Sequence, residues 1–578
     1  MHDLVIRGGR LVDGSGAPAV NGDLAIDGDR ITQVGGKAGP GRREIEANGL
    51  LVTPGFVDVH THYDGQATWD PYLAPSGWHG VTTLVMGNCG VGFAPARPDR
   101  HDWLIQLMEG VEDIPGSALA EGIKWGWETF PEYLDTLEKF PRALDIGTQV
   151  PHGAVRGYVM GDRGAANEAA SAEDIAAMAD IVEDALRAGA LGFTSSRTML
   201  HRAKDGRPVP GTFAGHEELI GIGRACARAG HGVFEIASDF GLGGMHGRFH
   251  EDIAWMRDLS TETGLPVSFI LAQASHNPGE WRDILRWTEE AVAAGANLRA
   301  QVATRPAGML LSFDNPMHPF KGHPSYLKVA GRPFDERIRL LSAPEMRAQL
   351  AAEETTLTGK FDTFFVTHFD NMYPLGDPPD YEPTPECSIA GIAKRTGRTP
   401  QAVLLDAMLA KGGSDFIYYP IINYAEANFD PIREMLLHPR AMLSLSDGGA
   451  HCGVICDASS PSYMLSYWVR DRTRGARLPL ELAVKLQTRD TACAYGLHDR
   501  GLLAPGMRAD VNVVDFERLH LHAPEAVRDL PAAGRRLVQR VDGYKATVQS
   551  GQLTYQDGVA TGVLPGKLIR GPQAAPRR

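Results

Sequence analysis

The chain is short of cysteine. Its 578 residues contain six, namely Cys89, Cys226, Cys387, Cys452, Cys456 and Cys493. Only Cys452 and Cys456 are near neighbours, and no C-x-x-C pair occurs. This excludes a disulfide scaffold and a zinc ribbon and fits a reduced interior. Long apolar runs are missing too: no window approaches the roughly 20 residues that a bilayer crossing needs. The N-terminus, Met1 to Gly9, lacks the basic stretch and apolar run of an export signal. A soluble, cytoplasmic protein is therefore expected. Basic charge is in deficit, with 57 Lys plus Arg against 71 Asp plus Glu and a net charge of −14 at pH 7. That balance argues against nucleic acid or a membrane surface as partner, because phosphate contacts need a basic footprint. No internal repeat or low-complexity tract is present. With 43% hydrophobic and 22% charged residues, the composition is that of a globular protein.

What is present has two textures. The first fifty residues alternate short β-like runs with Asp-Gly turns, and the stretch from Ala509 to Gly558 does the same. Residues 1–54 plus 500–565 are thus expected to pair into one small β-sandwich built from both chain ends. Residues 55–499 alternate strands and helices. Strands are expected at Phe56–His60, Thr82–Met86, Asp145–Val150, Ala190–Thr194, Gly232–Ala237, Pro266–Leu271, Asn297–Ala303 and Ala441–Ser446. Helices are expected at Ala172–Arg187, His216–Ala229, Asp252–Thr263 and Trp281–Ala294. Eight strands with intervening helices predict an α/β fold, a (β/α)₈ TIM-like barrel. The gap at about 305–440 is too long for one crossover and reads as an insertion, with helices near Ser388–Arg395 and Thr399–Leu409. Gly571–Arg578 reads as a loose tail.

Three motifs carry chemistry. In Gly55-Phe56-Val57-Asp58-Val59-His60-Thr61-His62, the i, i+2 spacing puts both imidazoles on one face at the C-terminal end of the first barrel strand. Such barrels keep their chemistry at that end, and two converging imidazoles suit a divalent transition metal such as zinc. Ser446-Asp447-Gly448-Gly449-Ala450-His451 follows the eighth strand. There Asp447 is placed to bind the metal across the barrel and to take a proton from its water. His451 reads either as an oxyanion stabiliser or as a loop hydrogen-bonder. In Gly87-Asn88-Cys89-Gly90 a strand delivers Cys89 to the mouth, as a thiolate ligand or as a small buried apolar group.

Together these segments resemble the amidohydrolase superfamily, and more narrowly its N-acyl-D-amino-acid deacylase (D-aminoacylase) branch. The likeness extends to the C-terminal turn Pro505-Gly506-Met507-Arg508-Ala509-Asp510. The resemblance implies that His60, His62 and Asp447 hold the more exposed metal, with Cys89 as an unusual thiolate ligand. The branch's histidines on the fifth and sixth strands are not evident, because Glu235 and Gln273 stand in those regions and His276 comes too late. No lysine sits at the end of the fourth strand, in Gly189–Ser196. One zinc ion is therefore expected rather than two, with Glu235 or Gln273 lining the pocket.

Four further residues are expected to contact substrate: Arg197 and Arg305 after barrel strands, where a guanidinium can fork onto a carboxylate, His152 at the end of the third strand, and His451. The resemblance implies hydrolysis of an N-acylated D-amino acid or a related amide, with Asp447 as general base and then acid. A hydrolase of cyclic amides or esters, and a catalytically inactive scaffold of the same fold, are the alternatives. The expected partner is a small acylated amine or amino acid, in a possible homo-oligomer.

Overall fold

The computed structural model describes residues 1–240, 248–315, 317–358 and 366–577. Residues 316 and 359–365, within the expected insertion, lie outside the described residues, as does Arg578 of the expected tail.

Eight short runs in which every strand is buried, or nearly so, close into a parallel barrel. They are β1 (Phe56–Asp58), β2 (Val81–Met86), β3 (Asp145–Thr148, continued past Gln149 by Val150–Pro151), β4 (Gly192–Ser196), β5 (Val233–Ala237), β6 (Val267–Ile270), β7 (Leu298–Val302) and β8 (Ala441–Leu443). Each pairs in parallel with the next. The ring closes just beyond the strand ends: Thr61 bridges Gly448 in parallel, His62 N donates to Gly448 O at 2.7 Å, and Asp447 N donates to His60 O at 3.2 Å. Strands buried on both faces need no polar alternation, and runs such as Val-Thr-Thr-Leu-Val-Met have none.

The crossover helices begin and end where their local chemistry says they should. Ala172–Ala188 opens on a reciprocal capping box between Ser171 and Asp174 and stops at Gly189, satisfying orphan amides at its start. His216–Ala229 stops at Gly230, whose φ of 86° is the left-handed conformation that glycine adopts freely. His101–Glu112 ends against Asp113 at φ 50°, and this turn leaves the Glu112 side chain buried beside the barrel mouth.

Strands from both chain ends share one nine-stranded sheet. Its order runs Val559–Ala560, Gln552–Gln556, Tyr544–Gln549, Val511–Val514, Leu51–Pro54, His2–Leu11, Val20–Asp27 and Arg30–Val34, with Gly41–Glu46 added beside His2–Leu11. Leu51–Pro54 pairs with Val511–Val514, which ties the first segment of the chain to the last directly below β1.

Between β7 and β8 the chain builds a three-stranded antiparallel sheet from Gly308–Leu311, Tyr373–Pro374 and Ile417–Pro420. It packs over a separate apolar cluster that includes Leu311, Phe313, Leu341, Met408 and Tyr419. Helices run at Ile389–Thr396 and from Pro400, with non-helical residues at Ala410–Gly412. A buried ion pair holds this insertion to the barrel side: Glu382 accepts from Arg472 Nε and Nη2 at 3.1 Å each, from Tyr467 OH at 2.5 Å and from Phe429 N at 2.7 Å.

The C-terminal segment is not the loose tail that its composition suggests. Gly571 N donates to Gly189 O, Gln573 N to Gly496 O, and His498 N to Gln573 O. Backbone pairing, which composition does not encode, holds it under the barrel.

Candidate metal centre

Both histidines continue from β1 with their side chains wholly buried. Cys89 follows β2 in a turn that only this local sequence permits. Gly87 and Gly90 adopt φ of 84° and 71°, and a Cβ on Gly87 would fall 2.4 Å from Gln149 O. Between them Cys89 itself is held at φ 56°, a conformation that costs a non-glycine residue about 1 kcal/mol or more. Asn88 Nδ2 donates to Thr61 O at 2.9 Å and to Val85 O at 3.0 Å, locking the turn to the histidine strand. Asp447 comes from the other side of the closure, also at positive φ. At Gly449 a Cβ would lie 2.9 Å from His62 O, so glycine is required where that loop crosses the histidine strand.

Donor atoms from His60, His62 and Cys89 all lie within 4.8 Å of one another. His60 Nε2 is 3.3 Å from Cys89 Sγ. Asp447 Oδ1 stands 3.6 Å from His60 Nε2 and 3.7 Å from His62 Nε2. Two imidazole nitrogens, a thiol and a carboxylate oxygen thus converge, a donor set that suits zinc. His60 is oriented from behind: its Nδ1 is 2.8 Å from Gln301 Oε1 and 3.2 Å from Glu235 Oε1. Gln301 in turn donates from Nε2 to Ser268 Oγ at 3.0 Å. That chain fixes the proton of His60 on Nδ1 and aims the Nε2 lone pair into the cluster.

The same atoms show what the cluster lacks. Both ring nitrogens of His62, both carboxylate oxygens of Glu112 and Oε1 of Glu235 are buried without a hydrogen-bond partner. Such orphans are costly, and a cation at the cluster would account for the ring nitrogen of His62 that faces Asp447. Burial works against charge on His60 and His62. Even so, Cys89 and Glu235 raise His60 well above its ordinary value, and Glu112, Asp447 and Cys89 do the same for His62. Asp447 moves the other way: burial alone would raise it, but the neighbouring imidazoles of His62 and His60 outweigh that and hold it well below the carboxylate range. Acidic groups and a thiol surround the two imidazoles, and these residues fit a divalent ion.

Three further residues lie around the cluster, of which Glu112 and His201 belong to no sequence motif and Asp64 closes the histidine motif. Glu112 reaches His62 Nδ1 from Oε1 at 3.4 Å and His451 Nε2 from Oε2 at 3.5 Å. His201, on the loop after β4, holds Ser196 Oγ at 3.0 Å from its Nδ1; burial, with the charges of His451 and His62, lowers it to about 3. Asp64 accepts from Gly87 N at 3.1 Å, and burial raises it to about 7.

The expected substrate contacts divide. His451 stands at the cluster, half-buried, with its backbone N donating to Glu112 O. Arg197 donates from Nη1 to Ala214 O at 2.6 Å. His152 is drawn elsewhere: Nδ1 is 2.8 Å from Ser195 Oγ and Nε2 is 2.8 Å from Glu218 Oε1, so both ring nitrogens are engaged inside the protein. Arg305 is likewise occupied. It meets Asp457 Oδ1 at 3.0 Å and Cys456 O at 2.5 Å, under the Tyr381 ring at 4.0 Å. The Gln273 amide anchors the insertion through Glu426 Oε1 and Ala425 N. His276 is exposed. Glu235 lines the pocket, in the layer beneath His60.

Residues 43–555 match the family described as "Amidohydrolase family". The chain belongs to the amidohydrolase family. It is a metal-dependent hydrolase of amide bonds, in the D-aminoacylase branch. The D-aminoacylase of Alcaligenes xylosoxydans xylosoxydans is 26% identical over 98% of this chain and 97% of its own length. The N-acyl-D-glutamate deacylase of the same organism is 27% identical over 92% and 91%. A solved D-aminoacylase superposes with a TM-score of 0.64 at 23% identity, covering 99% of this chain and all of that one. The N-acyl-D-glutamate deacylase of Bordetella bronchiseptica, solved with zinc and a phosphonate inhibitor, superposes with the same score and identity; these likenesses speak for the fold alone. Among the described residues no helix is long and apolar enough to cross a membrane.

Proposed function

We propose that this amidohydrolase deacylates an N-acyl-D-amino acid or a closely related N-acylated amine, with one zinc ion held by His60, His62, Cys89 and Asp447. The observation that carries this reading is the convergence of four donor groups from three strand ends, with His62 left unsatisfied by any protein partner. Nearly full-length likeness to two D-amino-acid deacylases supports the substrate class.

A divalent ion there lowers the pKa of a water and polarises the scissile carbonyl. The protein's own groups do the rest. Asp447 alone of the four is part-exposed, with 18% of its side chain accessible against none for either histidine, so the substrate's amide approaches from its side. Held as carboxylate, it takes the proton of the attacking water and passes it to the amide nitrogen, which leaves as an amine. Gln301 and Glu235 keep His60 in one tautomer throughout, and the surrounding buried wall limits competing water.

The test pairs metal analysis with turnover on a panel of N-acetyl-D- and N-acetyl-L-amino acids and simple N-acyl amines. Near-stoichiometric zinc with release of free D-amino acid supports the reading. Protein that binds no added zinc, or that cleaves none of the panel, overturns it.

A further inference from the structure

We infer that Glu112 is a positioning residue that couples the ion-binding histidine to the substrate-facing one, acting on His62 through Oε1 and on His451 through Oε2. This rests on the proposed metal site and deepens it. Glu112 lies at the last position of its helix with 1% of its surface exposed. A buried carboxylate ordinarily gathers several donors, yet neither oxygen of Glu112 has a hydrogen-bond partner within normal geometry. Among the described residues no lysine or arginine forms an ion pair with it; its ion-pair partners are the two imidazoles, at 3.4 Å and 3.5 Å.

The arrangement leaves each ring one free nitrogen. The charge of Glu112 Oε1, 3.4 Å from Nδ1 though outside hydrogen-bond geometry, favours the proton of His62 on Nδ1, which leaves the lone pair of Nε2 on the side where Asp447 Oδ1 stands at 3.7 Å. With His451 Nε2 3.5 Å from Glu112 Oε2, that nitrogen faces the carboxylate and Nδ1 remains for the substrate; the ring is 25% accessible while Glu112 is sealed. The backbone reinforces the link. His451 N donates to Glu112 O, and Gly453 N donates to Asp113 Oδ2 at 3.0 Å, so the loop after β8 is stitched to the end of this helix. His451 is held at φ 50°, as is Asp447, and strain of this kind persists where surrounding contacts over-determine it. One carboxylate therefore sets two rings that do different work.

Three variants and two readouts test this: zinc affinity by competition with a chromogenic chelator, and kcat and KM at saturating zinc. E112A removes both acceptors and is expected to weaken zinc by about 10- to 100-fold, the range for loss of a group that orients a metal-bound histidine. E112Q has the same shape and keeps an acceptor for His62 but turns an N–H₂ toward His451. It is expected to hold wild-type zinc affinity while kcat falls as far as in H451A, with KM little changed. The double variant E112Q/H451A should then lose no more than H451A alone, because coupled residues are not additive. Unchanged zinc affinity in E112A, or losses that multiply in the double variant, would overturn the coupling, with E112Q guarding against a folding defect. Wild-type protein that takes up no zinc would instead overturn the metal site itself, and this inference with it.

Discussion

Replacing Asp447 by asparagine is the sharpest perturbation available. The side chain keeps its shape, and asparagine tolerates the left-handed backbone that Asp447 adopts at φ 50°, so the loop need not move. What disappears is a negative charge 3.6 Å and 3.7 Å from two imidazoles and the only part-exposed base of the cluster. His60, His62 and Cys89 remain, enough donors for zinc to bind when supplied in excess. General base and acid catalysis by one group contributes about 100- to 10,000-fold, or ~2.7–5.4 kcal/mol of barrier. The assay is kcat for D447N with zinc content measured on the same sample. A fall within that range at full occupancy is expected. Wild-type turnover at full occupancy would refute the proton transfer assigned to Asp447.

Three further outcomes are expected. C89S should keep the fold but bind zinc less tightly, because a hydroxyl replaces a thiolate donor; equal affinity in chelator competition would remove Cys89 from the ligand set. E382A leaves the wholly buried Arg472 with only a largely exposed Asp430 as ion partner and should cost about 3–5 kcal/mol, read as a lower denaturation midpoint of the insertion; an unchanged midpoint would show that the pair does not hold it. His79 gives a pH signature. Burial lowers it from 6.5 to about 3, while its ring nitrogens hold Ser462 Oγ at 2.9 Å and Gln539 O at 3.1 Å. A histidine depressed in the folded state takes up its proton more readily when unfolded. Stability is therefore complete above pH 6.5 and is lost as pH falls toward 3, by ~2 kcal/mol at pH 5. H79N should lose less stability than wild type between pH 7 and pH 5, and an equal loss in urea titrations would sink the assignment.

Much of the barrel was legible because each strand is a short apolar run buried on both faces, bounded by glycine or a helix cap. Helix His216–Ala229 appears with the bounds its pattern implies. The i, i+2 spacing of His60 and His62 is likewise a local property that a strand converts directly into convergence. Glu112 was hidden for the opposite reason. It lies on a helix outside the alternating strands and meets His62 only through tertiary packing, so no spacing announces it. His201 sits in a loop whose path no periodicity describes. For His152 and Arg305 a strand-end position says where a side chain starts and not which partner it meets; Glu218 and Asp457 lie far along the chain. Gln273 in the same way meets the insertion it anchors.

The hydrogen bonds from His62 to Gly448 and from Asp447 to His60 lie where the first and last strands of the ring meet. Held as proposed, an ion would be gripped from both sides of that seam and captured only after the chain has come full circle. Loading would thus be a late event in maturation, and a metal-starved molecule should breathe first along this one join, exchanging the amide hydrogens of His62 and Asp447 sooner than those of strands on the far wall.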